Sequence, residues 1–359
     1  MNRDIELLRR LCLLFGPSGC EGEVRSAIRE SIRPCVDELE QDKLGNLIGY
    51  VDGADNSRTL MIAAHMDEVG MMITNIESSG QLRFDTVGGI DAAVLCGKRV
   101  VVWGHDRTRL PGIISAKPIH LQSKEEREKA TTRKSLYIDI GASDRADAQR
   151  LVSVGDFAVF DSDFVRFGEA ERRMKGKAID DRLGCAVMIS VLERLRAEGT
   201  VPPVRLAFAF TVREEVGFSG AKTAAYRINP SHAVALESTA IADLPDVSAH
   251  ERVGDMGRGG VLSLADKGAL YCRAFVGYAL SVGREKDIPV QLKRYVSGGN
   301  DARHIQQSAA GVRVLALSAP TRYLHSASCV ADLADYRAMQ KLVYEMIVGF
   351  GRYLAKEDM

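Results

Sequence analysis

Five short stretches of this 359-residue chain place histidine or carboxylate side chains where an apolar run stops or a helix begins. They are "LMIAAHMDEVG" (His65, Asp67), "KAIDDRLGC" (Asp180, Asp181), "AFTVREEVG" (Glu214, Glu215), "VALES" (Glu237) and "SAPTRYLHS" (His325). Strands buried on both faces of a mostly parallel sheet read as continuous apolar runs, and ligands in such sheets bind beyond the strands' carboxyl ends. His65 and Asp67 stand two apart, so an extended chain points both to one face. Taken singly, each position has an ordinary explanation. An aspartate at a helix start usually caps it, paired glutamates after a strand are commonly solvated, and a histidine after Tyr323 and Leu324 is often simply packed. Taken together, two imidazoles and several carboxylates at one sheet edge make coincidence the weaker account.

Imidazole plus carboxylate, without cysteine, suits zinc, cobalt or manganese. A carboxylate can bridge two ions, and a two-metal site activates water near neutral pH. Adjacent glutamates can divide the labour, one ligating while the other takes the proton. General-base help of that kind is worth ~10²–10⁴-fold in rate. The chemistry is hydrolysis of an amide-like bond.

The elements that must carry these residues alternate helix and strand. A helix is expected over 4–15, stopped by "GPSG", and another over about 21–33, ended by Pro34. Strands follow at 44–51 and 59–65. From about Glu68 to Phe164 short strand-like runs such as "KRVVVWG", "SLYIDIGA" and "DFAVF" alternate with glycine and charged turns, which is how a small barrel or sandwich reads. The charged segment 123–135 inside it reads as an exposed, mobile loop or short helix. The α/β rhythm then returns: a helix over 182–198, a strand at 204–212, a helix near 219–228, a strand at 233–237, a helix in "NDARHIQQSAAG", a strand in "VRVLALSAP" and a final helix over 331–355. This predicts an α/β catalytic domain, residues 1–67 and 165–359, interrupted by a β-rich domain over 68–164. Glu68 would merely begin the exit into the insertion.

The bulk numbers narrow the partners. The 48 basic and 48 acidic residues cancel, so nothing electrostatic argues for nucleic acid or an anionic membrane. No apolar run is long enough to span a bilayer, and "MNRDIELLRRLCLLFG" is too interrupted by charge for a signal peptide. Seven scattered cysteines, without a Cys-x-x-Cys pair, read as reduced thiols of a cytoplasmic protein.

In order along the chain, "AHMDEVG", "KAIDDRLGC", "FTVREEVGFSGA", "SGGNDA" and "RYLHS" resemble the glutamyl and deblocking aminopeptidases, a metallopeptidase family whose members include the tetrahedral aminopeptidases. The likeness extends through "GPSGCEGEVR", "VGGIDAAVLCGKRV", "KPIHLQSKEEREK" and "LYIDIGASDRADA". It implies a mixed central sheet with helices on both faces, like other zinc exopeptidases, and a PDZ-like barrel as the insertion. It implies two divalent ions per subunit, one held by His65, Asp180 and Glu237, the other by Asp180, Glu215 and His325. Asp180 is then the bridge, Asp67 supports the His65 ring, and Glu214 is the general base. The Asp180–Asp181 peptide is frequently cis in that family. Glu237 stands where many members have Asp, and Asn300 where Thr is common. Gly298, Gly299, Asp301 and Arg322 are candidates for substrate contact; each has a plain alternative, a loop bend for the glycines, a helix cap for Asp301 and an acidic partner for Arg322.

The implied activity is removal of N-terminal residues from short peptides through a metal-bridging hydroxide, by an enzyme that self-associates through the insertion into dimers or a dodecamer. The alternatives are hydrolysis of another amide, N-acyl or sugar-linked, and a non-enzymatic metal-binding assembly protein.

Overall fold

Charge-free apolar runs form the middle of an eight-stranded sheet in the computed structural model, which describes residues 3–357. Across the sheet the strands run Glu38–Gln41, Leu47–Val51, Val204–Thr211, Asp55–His65, His232–Ala240, Arg313–Thr321, Gly260–Leu262 and Val290–Leu292. The four from Val204–Thr211 to Arg313–Thr321 are mutually parallel. Their flanking strands Leu47–Val51 and Gly260–Leu262 run antiparallel to them, which makes the sheet mixed, as predicted. Every residue from Leu60 to His65 and from Leu206 to Thr211 is buried, so helices must cover both faces. Each fully buried Leu, Ile or Phe here contributes about 1.5–3 kcal/mol.

The helix Ile179–Glu198 lies on the central strands Asp55–His65 and His232–Ala240, ringed by Arg3–Leu13, Gly22–Ile32 and Leu333–Glu357. Gly199, at φ +62°, ends it in the left-handed conformation that glycine adopts without strain. Ser219–Ile228 packs against Val204–Thr211 together with the short helix Ala302–Ile305.

Between Gly70 and Phe160 the chain closes a six-stranded barrel: Gly70–Ile76, Leu82–Val87, Leu136–Asp139, Arg109–Ala116, Arg99–Trp103 and Phe157–Phe160. In Arg99–Trp103 Val100 and Val102 are buried while their neighbours are more exposed, the alternation of a strand with one wet face. The barrel has its own core, including Met71, Ile73, Leu82, Ile114, Ile138 and Phe160.

Several expectations need correction. "NDARHIQQSAAG" forms only the one-turn helix Ala302–Ile305, because the chain turns at Ser308–Gly311, with Gly311 at φ +97°. The last helix begins at Leu333, since Cys329–Asp332 pairs antiparallel with Arg173–Gly176. Glu237 lies within its strand, which continues to Ala240. The helix Arg273–Glu285 was not anticipated, its pattern diluted by Gly277 and Gly283. The segment 123–135, by contrast, carries a short helix as expected, Lys124–Glu128, with Lys124, Glu125, Arg127 and Glu128 exposed. Among the described residues no helix is long and apolar enough to cross a membrane.

Candidate active site

Sheet register brings the five stretches to one edge. His65 ends its strand directly opposite Thr211, so Glu214 and Glu215, three and four residues beyond Thr211, emerge beside it. Glu237 lies on the other neighbouring strand, opposite Ser318. Asp180 occupies the distorted start of its helix, joined to Asp181 by a cis peptide. His325 follows the end of Arg313–Thr321 with φ +58°.

Asp180 is the centre of the arrangement. Its Oδ1 lies 3.4 Å from His65 Nε2, and its Oδ2 lies 3.4 Å from His325 Nε2. Glu237 Oε2 is 3.7 Å from the same His65 nitrogen, and Glu215 Oε1 is 3.2 Å from His325 Nε2. Asp181, completely buried, also brings an oxygen within reach of His65 and Glu237. One carboxylate therefore faces two imidazoles, each backed by a further carboxylate.

Buried oxygens of Asp180, Asp181 and Glu215 have no hydrogen-bond donor. An unmet buried carboxylate oxygen is costly, and several converging on two imidazole nitrogens form a donor set that fits divalent cations. The acid–base balance agrees. Burial disfavours the His325 cation, yet Asp180 and Glu215 outweigh it and push the ring up to about 11. His65 is raised well above its ordinary value against the same burial, by Asp180 and Asp67. Burial raises Glu214 and Glu237 well above the carboxylate range, with neighbouring acids adding to it. The carboxyl groups outnumber the two histidines and hinder one another's ionisation, a strain that a bound cation would relieve.

Asp67 does more than face a histidine. His65 Nδ1 lies 3.1 Å from the Asp67 backbone carbonyl and 3.5 Å from its carboxylate. That carboxylate accepts the backbone N–H groups of both Glu214 and Glu215, at 3.1 and 3.2 Å, and the Ser18 hydroxyl at 2.5 Å. Despite complete burial its pKa is lowered, by His65 above all and then by the Ser18 hydroxyl and the Glu214 N–H. Asp67 thus fixes the His65 ring and the glutamate turn at once. The inserted segment also reaches the site: the Gly89 carbonyl lies 2.7 Å from His325 Nδ1. Beside it, Gly88 sits at φ +88°, and a Cβ there would come within 2.8 Å of Val69 and 3.2 Å of Glu215, so glycine is required.

Gly298 and Gly299 line a cavity of about 490 Å³ that also exposes Asp180, Glu214, Glu215, Glu237 and His325. Asp301 does not cap its short helix through its side chain. It accepts from Thr211 Oγ1 at 2.6 Å, and burial pushes its carboxyl up to about 7. Arg322 pairs bidentately with Asp243, at 2.7 and 2.8 Å. Asn300 bonds to Tyr271 and Asp266 behind the cavity wall. Sequence reasoning missed Ser18 and Gly89. The first sits in "GPSG", read as a helix stop and as part of the family likeness but given no role in the site, and the second acts through its backbone.

This fold and site have relatives. Residues 45–342 match the family model for the M42 glutamyl aminopeptidases. A TET aminopeptidase from the marine sediment archaeon Thaumarchaeota archaeon SCGC AB-539-E09 superposes with a TM-score of 0.93 at 35% identity, over 96% of both chains. The TET1 peptidase of Pyrococcus horikoshii, which can assemble into a tetrahedron or a large octahedral shell, superposes at 0.84 and 34% identity over 96% of this chain and 99% of that one. The lysyl aminopeptidase of Pyrococcus furiosus is 29% identical over 96% of each chain. The chain belongs to the M42 glutamyl aminopeptidase family and is an aminopeptidase, a peptide hydrolase.

Proposed function

We propose that this aminopeptidase is dinuclear, with His65, Asp180 and Glu237 holding one divalent ion and Asp180, Glu215 and His325 the other. The observation that carries the proposal is Asp180, whose two oxygens each face a different imidazole at 3.4 Å. Zinc, cobalt or manganese bound there would supply Lewis acidity toward the scissile carbonyl and lower the pKa of water. Glu214 lies in the cavity wall outside the close imidazole contacts, with its carboxyl raised well above the usual range by burial. Its position beside the imidazole-facing carboxylates suits a proton shuttle: with the ions bound, Glu214 would ionise, take a proton from the attacking water and return it to the departing amide nitrogen. The acid-rich wall formed by Asp180, Glu214 and Glu237 fits a free α-ammonium, which makes the substrate a peptide with an unblocked N-terminus. Gly298 and Gly299 border the same cavity, and we assign them to substrate contact.

Self-association through the barrel is part of this reading. Its support is apolar exposure on and beside the barrel strands, at Ile113, Ile119 and Leu121. The cytoplasm is the compartment that fits seven free thiols. The test is Glu214→Gln. Peptide turnover should fall by ~10²–10⁴-fold while metal content, measured by emission spectroscopy, stays that of wild type. Unchanged turnover would remove Glu214 from the role.

A further inference from the structure

Behind the carboxylates lies a second charged cluster, with side chains at most 5% exposed, that the reaction itself does not use. Glu68 Oε1 and Oε2 accept from Lys177 Nζ at 2.6 and 2.8 Å, and Oε1 lies 3.3 Å from Arg182 Nη2. Both cations also bond backbone: Lys177 bonds the Leu14 carbonyl at 2.7 Å, and Arg182 bonds the Leu11 and Gly16 carbonyls at 2.8 and 3.1 Å, while its buried Nε has no hydrogen-bond partner. Glu68's own backbone pairs with the same loop, its N–H donating to Gly16 O and its carbonyl accepting from Ser18 N–H. The chain exit that Glu68 begins is thus held by both its side chain and its backbone.

Position gives the cluster its meaning. Glu68 lies one residue after Asp67 and three after His65. Lys177 lies three residues before Asp180, and Arg182 two residues after it. One carboxylate therefore grips the Asp180 segment on both sides from the segment that carries His65. These two segments must hold His65 Nε2 and Asp180 Oδ1 at 3.4 Å. A buried ion cluster is weak evidence for stability, because apolar replacements of similar volume are often neutral or better. Fixing the registry of two segments is the best-attested use of such buried polar groups.

We propose that Glu68 is a positioning residue which, through Lys177 and Arg182, sets the separation of the His65 and Asp180 segments and hence the geometry of the metal pair. The proposal rests on the dinuclear reading above. It does not make Glu68 a ligand.

Chelator-stripped wild type, Lys177→Met, Lys177→Arg and Glu68→Gln are titrated with Co²⁺ by calorimetry, with the visible absorption of the bound ion recorded and thermal unfolding measured in parallel. Lys177→Met leaves Glu68 paired with Arg182, and Glu68→Gln keeps the side chain's shape. Both should bind Co²⁺ about 10–100-fold more weakly with an altered absorption spectrum, while Lys177→Arg, which preserves the charge, recovers affinity and spectrum. Wild-type affinity and spectrum in Lys177→Met and Glu68→Gln would overturn the proposal. So would a loss of thermal stability with affinity and spectrum intact, which would make the cluster structural only. Failure of wild type to bind Co²⁺ would overturn the metal reading and this inference with it.

Discussion

Glu214 and Glu215 are neighbours in sequence but not in environment. Glu215 faces His325 at 3.2 Å, whereas Glu214 has no such imidazole contact and stands in the cavity wall. Both backbone N–H groups are held by the Asp67 carboxylate, so the turn that carries the two glutamates is fixed from across the sheet. The pair itself was legible, because charge directly after an apolar strand is conspicuous. Its support was not, since Ser18 and Gly89 act through a hydroxyl in a loop and a carbonyl in the insertion, which carry no sequence pattern. Outside the cavity lining, burial pushes the Asp335 carboxyl up to about 7, against the N–H donors of Gly257 and Gly259. The folded state therefore holds this proton more tightly than the unfolded chain does. That stabilisation is complete below the ordinary aspartate value near 3.8 and is lost as pH rises through about 7. Asp335→Asn should flatten the fall of melting temperature with pH across this window, by a few degrees at most. Parallel wild-type and variant profiles would show that Asp335 is not the group responsible.

At the scale of elements, the central strands were readable because each contains an unbroken apolar stretch, such as Leu60–Ala64 and Leu206–Phe210, as strands covered on both faces do. Gly260–Leu262 and Val290–Leu292 were not, since three residues show no periodicity. The long helix Leu333–Glu357 was displaced by two residues in prediction because Cys329–Asp332 is committed to strand pairing that only the folded chain reveals. One contact between elements makes a sharp test. A Cβ on Gly220 would lie 2.1 Å from the Val212 carbonyl and 2.6 Å from Asn46 Oδ1. Asn46 bonds both Val212 N–H and the Gly220 carbonyl, so it ties the helix Ser219–Ile228 to the turn that leads into Glu214. Gly220→Ala should therefore lower stability by about 1–3 kcal/mol, read by chemical denaturation, and lower turnover as the glutamate turn shifts. Wild-type stability in this variant would mean that the helix can move away freely.

At the scale of the whole molecule, the barrel interrupts the sheet between His65 and Lys177 and still takes part in the site, through Gly89 and Gly88. Its presence was visible as a change of texture in the sequence; its contact with His325 was not, because Gly89 and His325 are 236 residues apart. The barrel's exposed apolar residues predict a particle larger than one chain in solution. Light scattering coupled to size exclusion should give a multiple of the 39.2 kDa subunit, and a mass of one subunit would contradict assembly through the barrel.

The central claim is that two divalent ions, seated on the Asp180 bridge, drive hydrolysis at a free N-terminus. Its most direct test measures hydrolysis of aminoacyl-anilides and their N-acetylated counterparts by chelator-stripped enzyme, before and after zinc, cobalt or manganese is restored. The account predicts turnover only after metal is restored and only with the free amine. Full turnover by the stripped enzyme, or equal cleavage of the acetylated substrates, would contradict it.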